Sequence, residues 1–153
     1  MLFLDVDGPL IPLAPRDTGR HPAVEAAAER LGNPLLARLD PADGPRLLTL
    51  GCDLVWATTW GEDANQVIGP LLGLPPLPVV AWGDEVDTGG LHWKTRDLVA
   101  YAAGRPFVWV DDEIGDPDRA FVAGEALPHR VDGRAGLTAA DFAAVRAWLA
   151  AYC

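Results

Sequence analysis

Two acidic segments, Asp5-Val6-Asp7-Gly8 and Asp111-Asp112, each directly follow an apolar run, Leu2-Phe3-Leu4 and Phe107-Val108-Trp109-Val110. Carboxylates gathered this closely repel one another and raise each other's pKa unless a cation sits among them. Mg²⁺ suits such a group, because it takes oxygen ligands, keeps several waters and bridges to a phosphate. Between the two segments lie Thr58-Thr59, at the end of another apolar run, and Lys94. A threonine hydroxyl with the next residue's amide beside it suits a phosphoryl oxygen. Lys94 is the only lysine, whereas the other eleven basic residues are arginine. An ammonium is a compact point charge that touches a carboxylate and a phosphoryl oxygen together, where a guanidinium needs more room.

Each of these signals also has a plain structural reading. Asp-x-Asp recurs at Asp116 and Asp118, so the triplet alone says little, and its place after a buried strand carries the weight. Glu113 and Asp116 extend the second acidic run in a way that suits a helix N-terminus. A solvated lysine and a strand-end threonine are the corresponding readings of Lys94 and Thr58.

The elements that must position these groups alternate. Strands are expected at 2–4, 54–57, 78–82 and 107–110, with a weaker one near 127–131. A helix is marked by Pro22 at its start, by Val24, Ala27, Ala28 and Leu31 at helical spacing, and by Gly32 at its end. Less regular helical stretches lie near 45–51 and over 64–72, where Pro70 must kink or shorten the helix. Further helices start near Trp93, burying Leu98, Val99 and Ala102, and at Asp116-Pro117. Thr138 caps the last, with Phe142, Val145 and Leu149 on one face. Strands that are continuous apolar runs predict a doubly wound, mostly parallel five-stranded α/β sheet with helices on both faces. Ligands bind beyond the carboxyl ends of such strands, where Asp5, Asp7, Thr58, Asp111 and Asp112 fall.

Asp-x-Asp-Gly after strand one, Thr after strand two, Lys before strand four and Asp-Asp after it resemble the haloacid dehalogenase-like (HAD) superfamily. The resemblance runs from Leu2 to about Asp116. It implies that Asp5 is a nucleophile forming an aspartyl-phosphate and that Asp7 is the general acid, then the base. Thr58, Thr59 and Lys94 would hold phosphoryl oxygens. Asp5, the backbone carbonyl of Asp7, Asp111 and Asp112 would hold Mg²⁺. An aspartate at position 7 favours a phosphohydrolase over a dehalogenase, because a halide leaves without a proton. Neither 8–57 nor 83–91 has space for a cap domain, so the site is expected to be open.

The segments 55–60, 92–95 and 109–113 are also similar to small bacterial HAD-like domains, including those fused in RNA-repair polypeptides. That similarity implies removal of a terminal phosphate from RNA or a nucleotide. Arg16, Arg20, Trp60 and Trp93 are the candidate contacts to such a substrate, although tryptophans also fill space between sheet and helices. An inactive binding module on the same scaffold is the alternative, and the presence of every motif residue speaks against it. A receiver domain would place its acidic pair after strand one and its lysine last, the reverse of the order here.

Composition sets the outer limits. With 153 residues the chain is expected to form a single domain that needs no staples. Cys52 and Cys153 make no disulfide framework, which fits a reducing, cytoplasmic setting. No apolar run approaches a membrane span, and Met1–Asp5 reads as a strand start rather than a secretory leader. A net charge of −10 argues against a broad nucleic-acid footprint, and the resemblance implies a phosphorylated small molecule or macromolecular end as partner.

Overall fold

The computed structural model describes residues 1–84, 87–124 and 126–152; Glu85 and Cys153 lie outside them. The short apolar runs pair side by side because each buries both of its faces. Strands β1 (Leu2–Leu4), β2 (Leu54–Trp56), β3 (Phe107–Asp111) and β4 (Ala126–Arg130) form one parallel sheet in the order β2-β1-β3-β4. The register sets Leu4 opposite both Trp56 and Val110. Alternate residues face opposite layers. Leu2, Leu4, Leu54, Trp56, Val108 and Val110 join one apolar cluster, and Phe3, Val55, Phe107 and Trp109 join the other.

The expected strand at 78–82 does not form, and among the described residues the sheet has four strands rather than five. Pro78 has no N–H to donate and follows Pro75 and Pro76. Only Val79 bridges to β2: the Trp56 N–H donates to the Pro78 carbonyl and the Val80 N–H to the Trp56 carbonyl, both at 2.9 Å. The weak expectation near 127–131 is a full parallel strand, β4.

Helices α1 (Pro22–Leu31), α2 (Asp43–Leu48), α3 (Gly69–Leu72), α4 (Thr95–Ala102), α5 (Asp116–Phe121) and α6 (Ala139–Tyr152) connect and cover these strands. Val24 and Ala28 of α1, Leu47 of α2 and Phe142, Val145 and Leu149 of α6 pack on one face. Leu98 and Ala102 of α4 pack on the other, with Ile114 and Val122 flanking α5. Leu31 and Val99, expected inside, are exposed. Leu31 ends its helix, and in α4 the inward stripe is already filled by Thr95, Leu98 and Ala102. Pro70 falls in the first turn of α3, where a missing N–H costs no helix bond, after a widened π-helical turn at Ala64–Ile68.

Two polar devices fix the periphery. Arg16 is buried against α2: its Nη1 donates to Asp43 Oδ2 (2.5 Å) and its Nη2 to the Pro9 carbonyl (2.8 Å). This pins the loop that follows β1. Arg16→Ala would leave fully buried Asp43, among the described residues, with only the Arg46 cation at 3.5 Å. Breaking a buried pair from one side costs about 3–5 kcal/mol, so urea unfolding of the Arg16→Ala protein should show a loss in that range. A loss under about 1 kcal/mol would mean the pair is not holding the loop.

The second device starts α6. The Thr138 N–H donates to Asp141 Oδ2 (2.8 Å), the Thr138 hydroxyl donates to the same oxygen (2.6 Å), and His129 Nε2 lies 2.8 Å from Asp141 Oδ1. His129 therefore has a partner that no sequence pattern announced. Burial pushes the Asp141 carboxyl up, but Thr138 and His129 together outweigh it and hold its pKa below the ordinary 3.8. A depressed carboxylate stabilises the fold above its unfolded value and loses that contribution as pH falls through the folded one. Asp141→Asn should therefore cost stability near neutrality and very little at pH values well below 3.8. Urea midpoints across pH read this directly, and an equal cost at both ends would contradict it.

Candidate active site

Three strand ends meet at one edge of the sheet. The Asp5 N–H donates to the Val110 carbonyl (3.1 Å) and the Ala57 N–H to the Leu4 carbonyl (2.9 Å), so the residues that follow β1, β2 and β3 emerge together. Lys94, in the loop entering α4, reaches across this edge. Its Nζ lies 2.8 Å from both Asp5 Oδ2 and Asp111 Oδ2, and its side chain is only 3% exposed. Burial disfavours the ammonium, but Asp5 and Asp111 outweigh it and hold the Lys94 pKa above the ordinary lysine value.

Asp5 and Asp111 differ in how free they are. Asp111 Oδ2 accepts from Lys94 and from the Trp109 indole N–H (3.2 Å), while Oδ1 accepts from the Glu113 N–H (3.0 Å). Both oxygens are engaged and the residue is fully buried. Among the described residues, Asp5 Oδ1 accepts only from the adjacent Val6 N–H (2.8 Å). Burial pushes the Asp5 carboxyl up to about 7 against the pull of Lys94, and the Asp111 charge adds to the rise.

Asp112 is held by shape. A Cβ on Gly8 would stand 2.4 Å from the Asp112 carboxyl carbon, and one on Gly133 would stand 2.3 Å from its Oδ2. Gly8 also has φ +91°, a conformation that side chains resist. Among the described residues no side chain donates to the Asp112 carboxylate. Burial, then the Asp111 charge, raise its pKa.

A cavity of about 270 Å³ opens here, lined by Asp5, Asp7, Asp112, Thr59 and Lys94 among others. Asp7 is exposed, and its Oδ2 accepts from the Trp60 indole N–H (3.0 Å). Thr58 is fully buried; its hydroxyl accepts from the Trp60 N–H (3.3 Å) and its carbonyl from the Trp82 indole (3.2 Å). Thr59 lines the cavity and Thr58 stands behind it.

Carboxylate oxygens of Asp5, Asp111 and Asp112 lie within 4.8 Å of one another. These hard oxygen donors fit Mg²⁺. Asp5 and Asp112 face the cavity, whereas Asp111 is already committed to Lys94, Trp109 and a backbone amide. A second group, His92, Asp111 and Glu113, shares that committed carboxylate. There His92 Nδ1 accepts the Lys94 N–H (3.2 Å), and Nε2 faces Glu113 (3.4 Å).

The structure brings Asp5, Asp7, Thr59, Lys94, Asp112 and Trp93 to one cavity, with Thr58, Trp60 and Asp111 as supports. Arg16 and Arg20 are elsewhere. Arg16 is locked on Asp43, and exposed Arg20 donates to both Glu25 oxygens (2.9 and 3.1 Å). Unforeseen was Asp118, buried at the start of α5. Its Oδ1 accepts from the His92 N–H (2.8 Å) and the Thr95 hydroxyl (2.6 Å), and its Oδ2 from the Gly115 N–H (2.9 Å). It ties the lysine loop to the loop after β3, and the only sequence signal was the second Asp-x-Asp, which looked like chance. Among known proteins, no family model, no curated protein and no solved structure matches the chain.

Proposed function

We propose that the chain is a Mg²⁺-dependent phosphomonoester hydrolase of the HAD type that works through an aspartyl-phosphate on Asp5. The observation that carries this reading is the Lys94 ammonium at 2.8 Å from both Asp5 and Asp111, beside a cavity that Asp7 and Asp112 also line. Mg²⁺ would be held by Asp5, Asp112 and the backbone carbonyl of Asp7, and would offset the charge of the phosphoryl group.

The chain's own groups divide the remaining work. An Asp5 oxygen attacks phosphorus, and the bond from phosphorus to the ester oxygen breaks. Protonated Asp7 gives its proton to the departing oxygen, so an alcohol leaves and Asp7 becomes the carboxylate. Asp7 then takes a proton from water as that water attacks the phosphorus of the aspartyl-phosphate. Phosphate departs and the Asp5 carboxylate returns. Lys94 and the Thr59 region hold the equatorial oxygens, and Asp111 fixes Lys94 in place. Such positioning and charge complementarity are most of what phosphoryl transfer needs.

Trp60 has a distinct part, since its indole N–H orients Asp7 while its backbone N–H holds the Thr58 hydroxyl. Trp60→Phe keeps the ring and removes the indole donor. The acid matters most when the leaving oxygen is basic, so this variant should slow an alkyl phosphate by on the order of 10-fold. A 2,4-dinitrophenyl phosphate, whose leaving group needs no proton, should be slowed far less. Equal slowing of both esters would remove the role. The reading as a whole is tested by phosphate release from a phosphomonoester panel with Mg²⁺ and with excess chelator. Release only with Mg²⁺ is expected, and no release from any ester would contradict it.

A further inference from the structure

Beyond the phosphoryl position, the cavity combines a strongly anionic rim with two exposed apolar side chains. Asp5, Asp7, Asp112 and Glu113 line it against a single ammonium, Lys94. No arginine is among the lining residues. Arg16 and Arg20, in the loop after β1, are bound to Asp43 and Glu25, Arg38 donates to the Leu13 carbonyl (2.5 Å), and Arg130 donates from its Nε to the Asp112 carbonyl at 2.9 Å. Among the lining side chains, one divalent cation and Lys94 would face four carboxylates, so a second phosphate in the cavity would meet Glu113 and Asp7.

The apolar part consists of Leu13, 66% exposed, and Trp93, 40% exposed. Neither sits on a slack segment. The Leu13 N–H donates to the Gly133 carbonyl (2.8 Å), and its own carbonyl accepts from Arg38 (2.5 Å). The Trp93 ring packs against the Trp82 ring at 4.8 Å and 73°, and Lys94 Nζ lies 5.4 Å from its centroid. An exposed leucine with a fixed backbone and a braced indole beside a charged site make a ready-made apolar wall.

We infer that this wall receives the leaving group, and that the substrate is a small phosphomonoester carrying one phosphate on an uncharged, flat, apolar alcohol. This rests on the phosphatase reading and narrows it. A phosphorylated end of an oligonucleotide, with its neighbouring phosphodiesters, is the class that the rim repels.

The test compares esters with matched leaving groups in the full chain with Mg²⁺. For kcat/KM, 2-naphthylmethyl phosphate should exceed glycerol 3-phosphate by at least about tenfold, the scale on which an apolar pocket discriminates. Thymidine 3′-phosphate should exceed thymidine 3′,5′-bisphosphate by at least about threefold, because the second phosphate meets uncompensated carboxylates. Leu13→Ser and Trp93→Ala should each lower the naphthylmethyl-to-glycerol ratio, and Glu113→Gln should narrow the bisphosphate penalty. A ratio near one, a preferred bisphosphate, or ratios that the variants leave unchanged would overturn the inference while the phosphatase stands. No phosphate release from any ester would overturn the phosphatase reading and this inference with it.

Discussion

Asp5→Asn is expected to lower turnover by at least about 10³-fold, because loss of a covalent nucleophile removes the path itself and not one contact along it. The fold should not suffer. Asp5 is a buried carboxylate beside Asp111, with burial and that neighbour both pushing its pKa up. An amide keeps the shape, removes the repulsion, and leaves Lys94 its 2.8 Å contact with Asp111. Thermal melting of the metal-free Asn variant should therefore be no lower than that of the parent. Full activity in this variant would end the assignment of Asp5. Lost activity with a large drop in melting temperature would show instead that Asp5 is a structural residue.

Lys94→Arg is the second large effect, and it keeps the charge while changing the shape. The Lys94 side chain is almost wholly enclosed between Asp5, Asp111 and the Trp93 ring. A planar guanidinium cannot occupy that point without displacing one carboxylate, and a displaced or distant cation stabilises the transition state poorly. Loss of at least about 10²-fold in kcat is expected, in line with removal of a single well-placed charge-stabilising group. Lys94→Ala goes further, since two buried carboxylates lose their counter-charge. Its cost to folding should be about 3–5 kcal/mol. Unchanged kcat in the Arg variant would show that Lys94 is a structural counter-ion alone.

The central architecture was legible because parallel strands, buried on both faces, appear as unbroken apolar runs. Leu2–Leu4, Leu54–Trp56 and Phe107–Asp111 all form strands where those runs lie, and their register alone brings Asp5, Thr58 and Asp111 to one edge. Caps with local chemistry were legible too, as with Thr138 before α6. The fifth strand misled because apolar content at 78–82 outweighed the prolines that empty its hydrogen-bond ladder. Partnerships between distant residues left no local trace. Arg16 looked like a free cation near the site, yet its partner Asp43 is 27 residues away, and Asp118 closes on His92 26 residues before it. The two acidic neighbours could not be told apart by sequence. Burial, the Trp109 indole and the Glu113 amide separate them, making Asp111 the anchor of Lys94 and leaving Asp112 facing the cavity.

Trapping the covalent step tests the phosphatase reading most directly. The full chain is mixed with excess 2-naphthylmethyl phosphate and Mg²⁺, quenched in acid during turnover and treated with borohydride, which reduces an acyl phosphate to an alcohol. Peptide mass spectrometry should then find the reduced side chain at position 5, dependent on substrate and on Mg²⁺. Turnover with Asp5 unmodified, or with the modification at Asp7, Asp111 or Asp112 instead, would contradict it.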